Sequence, residues 1–177
     1  MNSYAALVIS IGVLAFVDTL MTATILPIPV WVTFIAWASF FACGGGKAGW
    51  VQSVLSNWSG ILIAAASLYC IGLMGGSPMA AGICVGIGSA AMIVVTKIKH
   101  IPFPPAIVFG FASFVGTTAA TGHSVTTAGI QNPILVAGFA MLVGACFGFA
   151  SEIFADAMTA HKPCLLYTSD AADEEDR

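Results

Sequence analysis

Charged side chains are scarce in this sequence, and their scarcity argues against a soluble globular protein. Only 7% of the 177 residues are Asp, Glu, Lys or Arg, whereas a soluble domain carries about 25%. So few charges cannot cover a water-facing surface without exposing large apolar patches. The mean hydropathy is +0.99 and 59% of the residues are hydrophobic. We therefore predict that the surroundings of this chain are a lipid bilayer.

Motifs for metal binding, nucleotide binding and catalysis are also missing. The five cysteines form no CxxC or Cys/His ligand pattern, and His123 has no second ligand nearby. Gly44-Gly45-Gly46-Lys47 lacks the spacing of a phosphate-binding loop. No Ser/His/Asp, HExxH or paired intramembrane carboxylates occur. The sequence thus predicts no enzyme, no metal, no cofactor and no nucleic-acid partner.

The end of the chain differs in composition from everything before it. Five of the eight acidic residues lie between Asp170 and Asp176, whereas four lysines and three acids precede Pro163. Residues 163–177 resemble translated sequencing-adapter read-through, so we expect a non-native segment and a missing true C-terminus. The alternative is a genuine acidic, disordered tail.

Long apolar blocks separated by Gly, Pro and Lys predict an all-α polytopic membrane protein. Each block approaches the ~20 residues that a helix needs to cross the hydrocarbon layer. They form a single transmembrane domain over residues 1–162. The six predicted spans are about 4–24, 28–43, 49–74, 79–96, 101–120 and 133–158.

The lysines predict the orientation of these spans. With six spans, the N-terminus, the second and fourth loops and the C-terminus share one side of the membrane. Lys47, Lys97, Lys99 and Lys162 all lie on that side, and the opposite side has no Lys or Arg. Because positive loops stay in the cytoplasm during insertion, both termini are predicted to be cytoplasmic.

A short internal repeat relates the second and fifth spans. Trp37-Ala-Ser39-Phe40 recurs as Phe111-Ala-Ser113-Phe114, 74 positions later, and prolines open both spans. The third and sixth spans match loosely, Trp58-Ser-Gly60-Ile against Val136-Ala-Gly138-Phe. Two three-helix halves would have opposite orientations, as in many channels and transporters. The alternative is a chance match between Ala-, Phe- and Gly-rich segments.

Several polar residues lie inside or near the predicted spans. Asp18 either faces the protein interior as a functional carboxylate, or the first span ends early and leaves it at the headgroups. Asn57 either joins two helices or contacts a solute.

Glu152 and Asp156 share a helix face near the cytoplasmic lysines, so we expect them to be solvated or paired with lysine. Glycines four apart predict close helix packing, within or between protomers; the pairs are Gly72/Gly76, Gly82/Gly86 and Gly144/Gly148.

Two segments give the chain a family resemblance. Pro29-Val-Trp-Val-Thr-Phe-Ile-Ala-Trp-Ala-Ser-Phe-Phe-Ala-Cys-Gly-Gly-Gly46 and Pro105-Ala-Ile-Val-Phe-Gly-Phe-Ala-Ser-Phe-Val-Gly116 are similar to the characteristic stretches of the YcdZ-like family, domain of unknown function 1097. The resemblance covers roughly residues 5–160. It implies a multi-pass protein of the bacterial cytoplasmic (inner) membrane and supplies no catalytic residues.

Two functional hypotheses follow from the sequence. The first is a channel or facilitator for a small, neutral or weakly polar solute, oligomeric through its glycine faces, with a path between the second and fifth spans. The residues predicted for this path are Ser39, Phe40, Ser113, Phe114, Asn57 and Asp18. The alternative is a membrane partner or scaffold that transports nothing and stabilises another protein.

Overall fold

The computed structural model of the protein describes residues 1–159, and within them all regular structure is helical. The predictions about Lys162 and about residues 163–177 lie outside this range. Five of the six helices are long and apolar enough to cross a membrane. The helices are α1 (Ser3–Thr24), α2 (Val30–Ala42), α3 (Gly46–Leu73), α4 (Pro78–Val95), α5 (Pro104–Thr121) and α6 (Pro133–Met158).

The helix boundaries follow from capping residues and prolines. Asn2, Ser77 and Asn132 each accept a backbone N–H bond at the start of α1, α4 and α6, which satisfies a donor that the helix itself cannot. Prolines occupy the first turns of α4, α5 and α6, where no N–H is needed. All six predicted spans agree with the structure to within three residues at each end.

Helix α2 is shorter than the span predicted over residues 28–43. It has 13 residues and is therefore about 20 Å long, against about 30 Å for the hydrocarbon layer. Pro29 delays its start, and Gly44 and Gly45 end it with positive φ angles of 91° and 68°. In its first turn, Val32 and Thr33 are buried and Trp31 is exposed.

The outside of the bundle carries large apolar side chains, and the buried interior contains both apolar and polar ones. Phe16 is 69% exposed on α1, and Ile87 is 67% exposed on α4. The main core is formed by α2, α3, α5 and α6. An apolar exterior without a polar covering is the surface that lipid chains solvate. The prediction of a polytopic helical membrane protein is confirmed.

One end of the bundle gathers the start of α1, the end of α2 and the end of α6. Ala6 and Leu7 form a small core with Ala155, against which Phe41 packs. Lys47 follows directly at the start of α3, so we call this the lysine end. At the opposite end Trp31, in the first turn of α2, lies against Gly116 in α5. Helices α2 and α5 therefore run antiparallel.

Buried positions recur between the first three helices and the last three. Helix α5 has six buried positions, and each lies 74 residues after a position of α2 or its C-cap residue. Five of these six earlier positions are buried as well. Three buried positions of α1 also have a buried counterpart on α4 at a spacing of 74 residues: Ala6/Ala80, Ser10/Cys84 and Asp18/Met92. Buried positions of α3 recur on α6 at a spacing of 84: Gly49/Pro133, Ser53/Ala137, Ser56/Ala140, Asn57/Met141, Gly60/Gly144, Ile61/Ala145, Ala64/Gly148 and Ser67/Ser151.

The match of Trp58-Ser-Gly60-Ile with Val136-Ala-Gly138-Phe has a different origin from the one expected. Its spacing is 78 residues, which disagrees with the spacing of 84 between the buried faces of α3 and α6. The indole ring of Trp58 instead lies directly on Gly138. The two segments are contact partners, not equivalent positions.

Candidate functional site: polar groups buried between the helices

Three polar side chains of α2 and α3 form a closed hydrogen-bonded network, which we call the serine–asparagine network. The Ser39 hydroxyl donates to Asn57 Oδ1 at 2.9 Å and accepts from the Ser53 hydroxyl at 3.1 Å. Asn57 Nδ2 donates to Ser53 Oγ at 3.3 Å. All three side chains are 0% exposed. Since a buried polar group is unfavourable unless it is paired, the network fixes the register of α2 against α3.

Two further buried hydroxyls have no hydrogen-bond partner in the structure. They belong to Ser113 on α5 and Ser56 on α3. Ser113 recurs 74 residues after Ser39, but the positions equivalent to Ser53 and Asn57 are Ala137 and Met141. The second half therefore lacks the polar partners that Ser39 has in the first half.

Glycines let the helices approach closely around this layer. A Cβ atom on Gly110 would overlap the carbonyl oxygen of Asn57, so α5 lies directly against α3 there. A Cβ atom on Gly144 would likewise overlap the carbonyl oxygen of Thr33, where α6 crosses α2. Such contacts between small residues are how helices associate in membranes.

Asp18 forms a separate polar site between α1 and α2. Its carboxylate is 0% exposed, and α1 continues six residues further, to Thr24. The helix therefore continues past Asp18, and the carboxyl group faces the protein interior. The Thr33 hydroxyl lies 2.5 Å from Asp18 Oδ2 and 2.6 Å from the Val30 carbonyl oxygen. Asp18 Oδ1 has no partner in the structure.

A third set of bonds ties α1, α2 and α6 together nearer the lysine end. The indole N–H of Trp37 donates to Ser151 Oγ at 3.1 Å, and that hydroxyl donates to the Gly148 carbonyl oxygen at 2.6 Å. The Ser10 hydroxyl donates to the Ser151 carbonyl oxygen at 2.6 Å. Every polar atom in this set has a partner, so we assign it to packing.

Glu152 has a role that differs from the expected solvation or lysine pairing. Its Oε2 accepts the backbone N–H of Gly46 at 2.7 Å, so the carboxylate caps the first turn of α3 from the neighbouring helix α6. A negative group at a helix N-terminus is stabilised by the helix dipole. Asp156 on the same helix is exposed.

Grooves on the described residues lie on the outside of the bundle. One of about 440 Å³ is lined by Lys47, Trp50 and Cys146, among others, and one of about 240 Å³ lies between α3 and α4. Two more are shallow surfaces on α6 and next to the 127–135 segment. None of the six residues predicted to form a solute path lines these four grooves.

The structure brings together some of the predicted path residues and separates others. Ser39 and Asn57 are bonded directly. Phe40, which follows Ser39, and Phe114, which follows Ser113, are fully buried. Asp18 is bonded to Thr33, which was not predicted, and not to another residue of the predicted path. Sequence reasoning missed Ser53, Ser56 and Thr33. The four-residue spacing of Ser53 and Asn57 on one helix face was a usable signal, whereas nothing in the sequence marked Thr33.

These features define a class: a polytopic α-helical membrane protein with an apolar exterior and polar groups paired across helix contacts inside. The family described as "Protein of unknown function (DUF1097)" matches residues 8–156. The chain belongs to this family, and the family resemblance inferred from its two proline-opened segments is confirmed.

One relative and the solved structures complete the comparison. The chain is similar to "Uncharacterized protein YahC" of Escherichia coli (strain K12), with 25% identity over 161 residues, which cover 86% of this chain and 90% of that protein. No solved structure matches the chain. The descriptions of the family and of this relative name no activity. The buried polar groups are therefore the basis for a functional proposal.

Proposed function

We propose that this protein moves a small, neutral or weakly polar solute across the bacterial inner membrane. The solute would pass between two halves, α1–α3 and α4–α6, that are inverted repeats of one another. In such proteins, two halves of opposite orientation rock around a central site and open it to each side in turn. The proposed path lies where α2 meets α5.

The observation that carries the proposal is the agreement of buried positions between the two halves. Spacings of 74, 74 and 84 residues relate α1 to α4, α2 to α5 and α3 to α6. A chance match of one tetrapeptide does not extend over three helix pairs. The antiparallel packing of α2 and α5 at Trp31 and Gly116 supports a twofold axis in the membrane plane.

The charges of the loops support the inversion and the orientation. Residues 25–29 join α1 to α2 and carry no charge, whereas the equivalent connection, residues 96–103, carries Lys97 and Lys99. In inverted halves these connections lie on opposite sides of the membrane. We propose that the lysine end is cytoplasmic, because cytoplasmic loops carry the excess of lysine.

Full burial of the path residues corresponds to a closed arrangement. Ser39, Ser113, Phe40 and Phe114 are each 0% exposed, so a solute would reach the two hydroxyls only when the halves separate. Two hydroxyls and two phenyl rings at equivalent positions suit a solute that is small and uncharged.

The test is stopped-flow influx into liposomes that contain the full chain, with glycerol, urea, acetic acid and methylamine as separate probes. We expect faster influx of at least one probe than in protein-free liposomes, and slower influx for Ser113→Ala. Ser56→Ala is the matched control, because its hydroxyl is also buried and unpaired but lies off the α2–α5 contact. Influx equal to that of protein-free liposomes for all four probes would refute the proposal.

A membrane scaffold is the second candidate, and one observation favours it. The serine–asparagine network is closed and its three side chains are 0% exposed, as in a permanently packed core. The scaffold would use its outer faces, where Gly82 and Gly86 on α4 have open space above them. We propose that a second copy packs there. Cysteine cross-linking at Gly82 in native membranes tests that contact, and a yield no higher than at exposed Val13 would contradict it.

A further inference from the structure

We propose that Asp18 is a proton-binding site. It holds a proton in this closed arrangement and releases it when water reaches the carboxyl group. Asp18 is the one fully buried carboxyl group among residues 1–159, and its hydrogen bond is to Thr33, which is not one of the residues predicted for the solute path. The part of the inference that links the proton to solute movement rests on the proposed function; the proton site itself does not.

The geometry at Thr33 points to a protonated carboxyl group. The single Thr33 hydroxyl lies within hydrogen-bond distance of both Asp18 Oδ2 and the Val30 carbonyl oxygen. A carbonyl oxygen can only accept, and one hydroxyl proton makes one strong bond. If Thr33 donates to Val30, then Asp18 must carry the proton that it donates to Thr33. That arrangement satisfies both short contacts.

The helices around Asp18 provide no positively charged side chain to compensate an ionised carboxylate. Helices α2 and α6 pack against α1, and none of the three carries Lys, Arg or His within the described residues. Their other titratable groups form no hydrogen bond with Asp18, whose Oδ2 is bonded to Thr33 and whose Oδ1 has no partner in the structure. Tyr4 lies fourteen positions away along α1, about 21 Å; Cys146 is exposed; and Glu152 and Asp156 lie towards the lysine end. An unpaired ionised carboxylate in such a setting is strongly disfavoured.

The same site can accommodate the ionised form once water reaches it. Asp18 contacts Thr33 in the first turn of α2, and the N-cap of that helix, Pro29, provides no side-chain bond. The partial positive charge at this N-terminus favours a carboxylate. Asp18 is six residues, about 9 Å, from the end of α1 opposite the lysine end. On release, the carboxyl O–H bond breaks, its electron pair stays on oxygen, and a water molecule takes the proton.

Infrared spectroscopy of the full chain in lipid nanodiscs at neutral pH tests the site without any solute. We expect the carbonyl-stretch band of a protonated carboxyl group, its loss in Asp18→Asn and its retention in Asp156→Asn, which removes an exposed acid. Should Asp18→Asn fail to fold, Thr33→Val assigns the band instead, because loss of the hydroxyl shifts its frequency. Absence of the band from the unmodified protein would overturn the proposal.

Two further experiments refine this result. The first distinguishes a bound proton from a bound sodium ion, and the second tests whether the proton is coupled to solute movement. Loss of the band when sodium chloride replaces choline chloride would show that the carboxylate binds sodium, and would overturn the proton site. In liposomes that enclose a pH-sensitive dye, influx of glycerol or urea without a change in internal pH would overturn the link to transport and leave the proposed function intact. If none of the four probes moves, the proposed function fails and the infrared band alone decides the proton site.

Discussion

Alanine substitutions at Ser39 and Ser113 should change stability in opposite directions, although both serines are buried and lie 74 residues apart in matching tetrapeptides. The Ser39 hydroxyl makes two hydrogen bonds within the serine–asparagine network. The Ser113 hydroxyl makes none. Both side chains are 0% exposed, so differences in solvation by lipid or water do not enter the comparison.

The magnitudes follow from these bonds. Hydrogen bonds between membrane helices contribute about 0.6 kcal/mol each on average, so Ser39→Ala should lower the free energy of unfolding by about 1 kcal/mol. The unpaired Asn57 oxygen left behind adds to that loss. Ser113→Ala removes a buried hydroxyl without a partner, which should raise stability by up to about 1 kcal/mol. The two variants should therefore differ by about 2 kcal/mol.

Equilibrium unfolding in mixed micelles of increasing denaturing detergent measures both variants on one scale. Ser56→Ala is the internal control and should behave like Ser113→Ala, because its hydroxyl is equally buried and unpaired. If both Ser39→Ala and Ser113→Ala destabilise the protein by equal amounts, the difference in bonding between the two halves is refuted.

Two further predictions concern the helix contacts. Gly144→Ala should destabilise the protein by at least about 2 kcal/mol, because a Cβ there overlaps the Thr33 carbonyl oxygen. Gly82→Ala, where the space is open, should be neutral or slightly stabilising, and equal effects of the two in the same unfolding assay would contradict the packing. Glu152→Gln should cost about 0.5–1 kcal/mol through loss of the negative charge that caps α3 at Gly46. That loss should appear as faster backbone hydrogen exchange in the first turn of α3, and unchanged exchange would refute the cap.

The helices could be predicted from the sequence because lipid imposes a simple rule on it. Every backbone polar group in the hydrocarbon layer must be bonded within its helix, so long apolar blocks between glycines and prolines give the boundaries. Helix α2 begins two residues after and ends one residue before the predicted span, because Pro29 precedes it and Gly44 and Gly45 follow it with positive φ angles.

The polar interior could be predicted only in part. Asp18, Ser39 and Asn57 stood out because polar residues are rare in these spans. Their partners did not, because the bonds of Asp18 to Thr33 and of Ser39 to Ser53 depend on how α1, α2 and α3 meet. Serine and threonine can also bond to their own helix, as Ser59 does to Leu55. Their presence in a span therefore predicts no particular partner.

The difference between the two halves bears on the proposed mechanism. Polar groups concentrate in the first half, where Asp18 corresponds to Met92 in the second half. Of the three buried hydroxyls in the second half, Thr117 bonds to its own helix and Ser151 bonds to Trp37, which leaves Ser113 alone.

A buried hydroxyl without a partner is unfavourable. Unlike Ser56, Ser113 lies on α5 beside the proposed path, where it would gain a partner when the halves separate. If the halves move against each other, Ser113 is the group on the otherwise apolar surface of the second half that can form a new bond. We therefore expect substitutions in α1–α3 to change which solute is accepted. Ser113→Ala should instead slow the transition between states while it stabilises the closed one.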